Sequence, residues 1–176
     1  MIECVDQRDL SFSWQDGACI IAGFDSLDLH TTCQCGQAFR WIRAGDAGQI
    51  EEGVVRGRLL RLEQRGEELV VHPPADSETV SIVTDYFRLR QSHAALEARI
   101  AATDPVMSRA VESARGLRLV AQEPWECLVS YIVSANNSVA QISRVVENLS
   151  RVWGGPVDGS LRRAFPAPGE LGCASE

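Results

Sequence analysis

Lysine is absent from the 176 residues, and all seventeen basic side chains are arginine. Arginine stays protonated and grips phosphate or carboxylate through a planar fork, so the chain offers basic contacts but no side-chain amine nucleophile. Basic charge is also short overall, because 24 acids outnumber the arginines and the formal net charge is −7. That balance argues against a binder that holds nucleic acid by bulk electrostatics alone, since phosphate neutralisation supplies most non-specific affinity. The deficit is uneven: residues 1–85 hold 7 arginines and 15 acids, whereas 86–176 hold 10 and 9.

Cysteine is sparse too, and six thiols do not make a disulfide scaffold. Cys33 and Cys35 form a C-x-C pair without a His or Cys partner at metal-site spacing, so neither a metal nor another cofactor is expected. The apolar runs at 19–22 and 127–133 are too short to cross a bilayer, and the acidic start (Glu3, Asp6, Asp9) does not resemble a secretory leader. The expectation is a chain that stays inside the cell, in cytoplasm or nucleus, away from membranes and as a monomer.

Hydrophobic residues at 45% and charged residues at 23% indicate folded structure over most of the length. Between Cys19 and His72 short strand-like segments alternate with turns. The clearest is a hairpin in which Leu60 and Leu62, then Leu69 and Val71, flank a turn at 64–67. Further strands are expected at 18–23, 38–43 and 53–57, with a last strand or extended link at Tyr86-Phe87-Arg88-Leu89. Together they predict one antiparallel sheet whose inner face needs a cover. Pro73-Pro74 and the polar run 75–79 read as a break.

Beyond residue 86 the apolar period changes to about 3.6. Helices are predicted over 92–102 and over 105–114, the latter with Asp104 as N-cap, Pro105 at its first position and Gly116 ending it. A third, running from Pro124 to about Ser134, has almost no polar face and is expected to be central and buried, with Trp125, Cys127 and Tyr131 inside. The fourth, after Ser138, carries Val139, Ile142, Val145, Val146, Leu149 and Val152 as an amphipathic stripe. A short helical turn is expected at 161–165. The segment that starts again at Glu170-Leu171 has no closing cap or strand before Glu176, which reads as a helical domain cut short. The predicted organisation is an α+β chain, with a sheet domain over 1–85 and a helical domain over 86–176.

Three segments in order carry a resemblance: Cys35-Gly36-Gln37-Ala38-Phe39-Arg40-Trp41, then Asp85-Tyr86-Phe87-Arg88-Leu89, then Gly116-Leu117-Arg118 through Gln122-Glu123-Pro124-Trp125-Glu126-Cys127 to Ser134-Ala135-Asn136-Asn137. Over roughly 24–154 the chain resembles the 8-oxoguanine DNA glycosylases of the helix-hairpin-helix superfamily. The resemblance implies an N-terminal antiparallel twisted sheet of the TATA-binding-protein type and, after it, the first part of an all-α glycosylase domain. In the family, a hairpin, a lysine that attacks the sugar and a helping aspartate follow. None lies in this chain, so no catalytic residue is assigned here and the chain alone is expected to be inactive. The implied partner is duplex DNA containing oxidised guanine, and the implied process is base excision repair by a glycosylase with abasic-site lyase activity.

Asn136 and Asn137 lie where one helix ends and the next begins. Asparagine serves there as a cap and tolerates left-handed backbone. An enzyme that acts on a base must also extrude it, leaving an orphaned partner to which a short amide can offer both donor and acceptor. The resemblance gives Asn136 that role, with Asn137 and Gln141 beside it as further orphan-base or DNA contacts. Gln141 occupies the position where the family has an arginine donating to the orphaned cytosine, and a neutral, shorter amide weakens that discrimination.

Gly36 reads on its own as a turn residue. The resemblance makes its carbonyl the lesion contact: N7 of 8-oxoguanine carries hydrogen and N7 of guanine does not, so one carbonyl attracts the first and repels the second. Arg40 is assigned a structural role, and Phe39 and Trp41 are assigned to core or domain packing. Two other readings remain: an alkylated-base glycosylase of the same superfamily, and a non-catalytic binding module.

Overall fold

The computed structural model describes residues 7–172; Cys4, Cys173 and the segment's end at Glu176 lie outside the described residues. Six strands, β1 (Ser11–Gln15), β2 (Ala18–Ala22), β3 (Trp41–Ala44), β4 (Ile50–Val55), β5 (Arg58–Arg65) and β6 (Glu68–Val71), form one antiparallel sheet in the order β1-β2-β6-β5-β4-β3. The architecture is α+β, as the alternation predicts.

The β5–β6 hairpin is the element that the sequence marks most clearly. Leu62 pairs with Val71 and Gln64 with Leu69, and Leu60, Leu62, Leu69 and Val71 are all fully buried. Period-two alternation thus puts one apolar face inward. The outer face carries polar pairs such as the Arg61–Glu52 ion pair and the His72–Glu63 hydrogen bond.

The cover over the inner face is α2 (Ser77–Tyr86), which corrects two expectations. The polar run 75–79 is its N-terminus, with the Asp76 carboxylate accepting from the Thr79 amide at 2.7 Å. Tyr86 ends it, and Phe87–Leu89 is a tight turn rather than a strand. Val80, Val83 and Phe87 bury against Cys19, Ile21 and Leu60. The spacing of these apolar residues is helical, and Ser81 and Asp85 between them face solvent while Thr84 is buried.

The other differences are local. β3 begins at Trp41 because 36–40 cross the junction between sheet and helices. β4 runs over 50–55, and Arg56-Gly57 make the turn to β5. The sequence reading left out β1 and the six-residue helix α1 (Leu29–Gln34), which Asp28 caps through the Thr31 amide.

α3 (His93–Ala101) and α4 (Pro105–Ser113) form a hairpin with Ser92 and Asp104 as caps. Gly116 then turns back at φ +80, so close to α1 that a Cβ would stand 2.5 Å from the Asp28 amide nitrogen. The residues after it lead into α5 (Pro124–Ser134) and α6 (Val139–Trp153).

α5 is not the buried centre of the described residues. Leu128, Tyr131 and Ile132 are 51, 75 and 64% exposed, Cys127 is exposed, and Ser130 is its one fully covered residue. Trp125 is half-buried and donates to the Pro166 carbonyl at 2.9 Å. An all-apolar helix needs several neighbours to cover it. Here α5 packs chiefly on α6, and among the described residues Leu128, Tyr131 and Ile132 are left open. α6 buries Ile142, Val146 and Ser150 as a narrower stripe than predicted, with Val139 and Val152 exposed. Residues 161–165 are not helical: 161–162 bend, Arg163 bridges to Pro156, and α7 (Pro168–Gly172) is the last described element.

Candidate nucleic-acid interface

Two bundles of polar contacts join the sheet to the helices. Arg118 is fully buried, and its guanidinium donates to the backbone carbonyls of Ser26 (3.2 Å) and Arg88 (2.9 Å) and to the Asp25 carboxylate (3.1 Å). A charged fork with its donors satisfied ties the 25–28 loop to the turn after α2. On the other side, Arg40 is 3% exposed and reaches Glu147 of α6 at 3.3 Å. Arg162 holds the same carboxylate at 2.9 Å and donates to the Arg40 carbonyl. Arg40 has the structural role assigned to it, with its acid supplied by α6.

Glu126, in the first turn of α5, lines a cavity together with Arg40. Burial pushes its carboxyl up to about 7, Arg40 opposes the shift, and Glu123 and Glu147 add to it. It is thus a carboxylic acid that titrates near neutrality inside the joint.

These ties hold an open cleft of about 350 Å³ between the turn after α1 and the α5–α6 pair. Gly36, Gln37 and Phe39 line one wall; Ser130, Tyr131, Ser134, Val139 and Ile142 line the other. Gly36 has φ +86, and a Cβ there would sit 3.6 Å from Val139 Cγ2, an ordinary contact. The backbone conformation therefore selects glycine more strongly than the available space does.

At the end of the same helix pair lies the 134–138 turn. Asn136 is exposed, has φ +60, and makes no side-chain hydrogen bond among the described residues. Asn137 instead caps α5, donating from Nδ2 to the Val133 carbonyl at 2.8 Å. Gln141 closes a capping box: its Oε1 accepts from the Ser138 amide at 2.8 Å, and the Ser138 hydroxyl accepts from the Gln141 amide at 3.4 Å. Of the four residues singled out in sequence, Gly36 lines the cleft, Asn136 stands free at the turn, and Asn137 and Gln141 are engaged in holding the turn's shape. Sequence reasoning passed over Gln37, whose amide ties the cleft wall to Thr32, Arg118 and Val120 behind it; a glutamine within a loop gives no periodic signal.

A family model described as 8-oxoguanine DNA glycosylase, N-terminal domain, matches residues 20–128. The chain belongs to this family. It is 31% identical over 157 residues to the N-glycosylase/DNA lyase OGG1 of Arabidopsis thaliana, an alignment that covers 85% of this chain and 42% of the plant protein. Among solved structures, MBOgg1 in complex with a low-affinity DNA ligand superposes with a TM-score of 0.85 at 31% identity, covering 93% of this chain and 56% of that one. The Clostridium acetobutylicum 8-oxoguanine glycosylase/lyase, in complex with duplex DNA containing cytosine opposite 8-oxoG, gives 0.84 at 25% identity, covering 97% and 58%. The chain thus spans about half the length of the relatives it matches. Among the described residues, no cluster of three or more His, Cys, Asp or Glu could hold a metal ion.

Proposed function

We propose that this chain is the lesion-reading part of a base-excision DNA glycosylase that opens duplex DNA at 8-oxoguanine. In this reading the Gly36 carbonyl meets N7–H of the extruded base, and Asn136 offers its amide to the orphaned partner. The sheet part, residues 1–85, supplies the first contact, and the helical part, 86–176, supplies the second. Asn137 and Gln141 act by shaping the turn that presents Asn136. The observation that carries the proposal is that the cleft lined by Gly36 is walled by α5 and α6, the two helices joined by the Asn136 turn.

In the family, base removal coupled to abasic-site lyase action runs through an amine nucleophile that forms a Schiff base with the sugar. This chain has no lysine to provide one, so its share is recognition. Gln141, already committed to the capping box, has one free amide edge where the family presents an arginine; discrimination for cytosine opposite the lesion is correspondingly weak.

The test is base opening. A 2-aminopurine placed opposite 8-oxoguanine brightens when its partner leaves the stack. The chain is expected to raise that fluorescence with an 8-oxoguanine duplex and not with a guanine duplex. A rise with a methylated purine instead would favour the alkylated-base reading, and no rise with any duplex would favour a binding module that does not open DNA.

A further inference from the structure

Gln37 makes three hydrogen bonds, all to backbone, and they tie its turn to the end of α1 and to the segment 118–120. Its Nε2 donates to the Thr32 carbonyl at 2.9 Å and to the Arg118 carbonyl at 2.8 Å, while its Oε1 accepts from the Val120 amide at 3.0 Å. The amide pairs with residues 118 and 120 as a neighbouring strand would, taking one carbonyl and one N–H two residues apart. Thr32, fully buried, reinforces the joint by accepting from the Arg118 amide at 3.2 Å and donating to the Gly116 carbonyl at 3.3 Å.

The peptide between Gly36 and Gln37 contains the carbonyl to which lesion contact is assigned. Its direction is set by ψ of Gly36, and glycine, with no side chain, barely restrains that angle. Fixing Gln37 on its far side supplies the missing restraint. The segment it grips, 118–120, continues through Gln122, which lines the same cleft, into α5 at Pro124. One side chain therefore sets both the orientation of the Gly36 carbonyl and the distance from that carbonyl to the opposite wall.

We infer that Gln37 is the positioning residue of the lesion contact: its side-chain amide, pinned to Thr32, Arg118 and Val120, aims the Gly36 carbonyl into the cleft. The inference rests on the proposed reading of Gly36. It also makes a claim about the free chain that does not depend on DNA.

Two variants separate aim from fold. Gln37→Leu removes all three bonds at similar volume. Gln37→Glu keeps the acceptor for the Val120 amide but turns a carboxylate onto two carbonyl oxygens, and it serves where the leucine variant fails to fold. The first readout is the ¹³C carbonyl resonance of Gly36 in glycine-labelled chain without DNA. Either variant is expected to shift or broaden it, while the carbonyls of Gly57 and Gly66, in distant hairpin turns, stay in place. An unmoved Gly36 resonance overturns the inference, whatever the chain binds. The second readout is the preference for an 8-oxoguanine duplex over a guanine duplex. It is expected to fall about tenfold, which is about 1.4 kcal/mol, through weaker binding of the lesion duplex and relieved repulsion of the guanine duplex. Equal loss on both duplexes also overturns it, because a merely structural residue would act on both. A moved carbonyl in a chain whose parent shows no lesion preference refutes the reading of Gly36 and leaves the aiming role of Gln37 supported.

Discussion

A Cβ placed on Gly36 would stand 3.6 Å from Cγ2 of Val139, so the turn after α1 and the first residue of α6 face each other across the cleft. The space accepts a methyl group, but the backbone at φ +86 does not accept it readily. Gly36→Ala is therefore expected to cost roughly 1–2 kcal/mol of stability through left-handed strain. It should also lower lesion preference, because the turn relaxes and carries the carbonyl with it. Chemical denaturation and duplex titration of one variant check both.

The neighbouring asparagines are expected to respond in opposite ways. Asn137→Ala removes the amide that caps α5 at Val133 and should cost about 0.5–1 kcal/mol. Asn136→Gly removes an exposed amide at φ +60, where glycine is at ease, so stability should hold within about 0.5 kcal/mol while lesion-duplex binding weakens. Thermal melts paired with titrations would reverse these assignments if Asn137 governed binding and Asn136 governed stability.

Glu126 gives the joint between sheet and helices a pH dependence. Its carboxyl lies at about 7 in the fold, raised chiefly by burial, against 4.5 when unfolded. The folded state thus holds the proton more tightly. The resulting stability is full below the unfolded value and is lost as pH rises towards 7. Glu126→Gln mimics the protonated form. Relative to the parent, it is expected to gain roughly 2–3 kcal/mol between pH 4.5 and 8, read from denaturation midpoints at each pH. A difference that does not change with pH would place that carboxyl in water.

Because all seventeen basic residues are arginine, borohydride reduction in the presence of 8-oxoguanine DNA is expected to give no lesion-dependent adduct on a side chain. Peptide mapping of any trapped product checks this, and an adduct on an internal residue would contradict it.

Much of the fold could be read where a period is strict. Leu60, Leu62, Leu69 and Val71 announced their hairpin, and Asp104 with Pro105 announced α4. β1 was overlooked although Asp16-Gly17 is a strong hairpin signal, because Phe12 and Trp14 alternate on an edge strand whose residues stay exposed. The start of α2 reads as a break, since Asp76, Ser77 and Glu78 look like turn chemistry until the cap bond to Thr79 is seen. α5 shows a different limit: composition records that a face is apolar, but not which element covers it. At the site, Gly36 and Asn136 were named through family likeness. Gln37 was not, because a side chain that works through backbone bonds, two of them to the distant segment 118–120, leaves no local pattern.

The most direct test is the ratio of dissociation constants of the unmodified chain for two duplexes identical except for 8-oxoguanine in place of guanine, measured at one stated salt concentration. A carbonyl aimed at N7 gains a hydrogen bond with the lesion and meets a lone pair on guanine, so the lesion duplex is expected to bind about tenfold tighter or more. Equal dissociation constants would contradict the account.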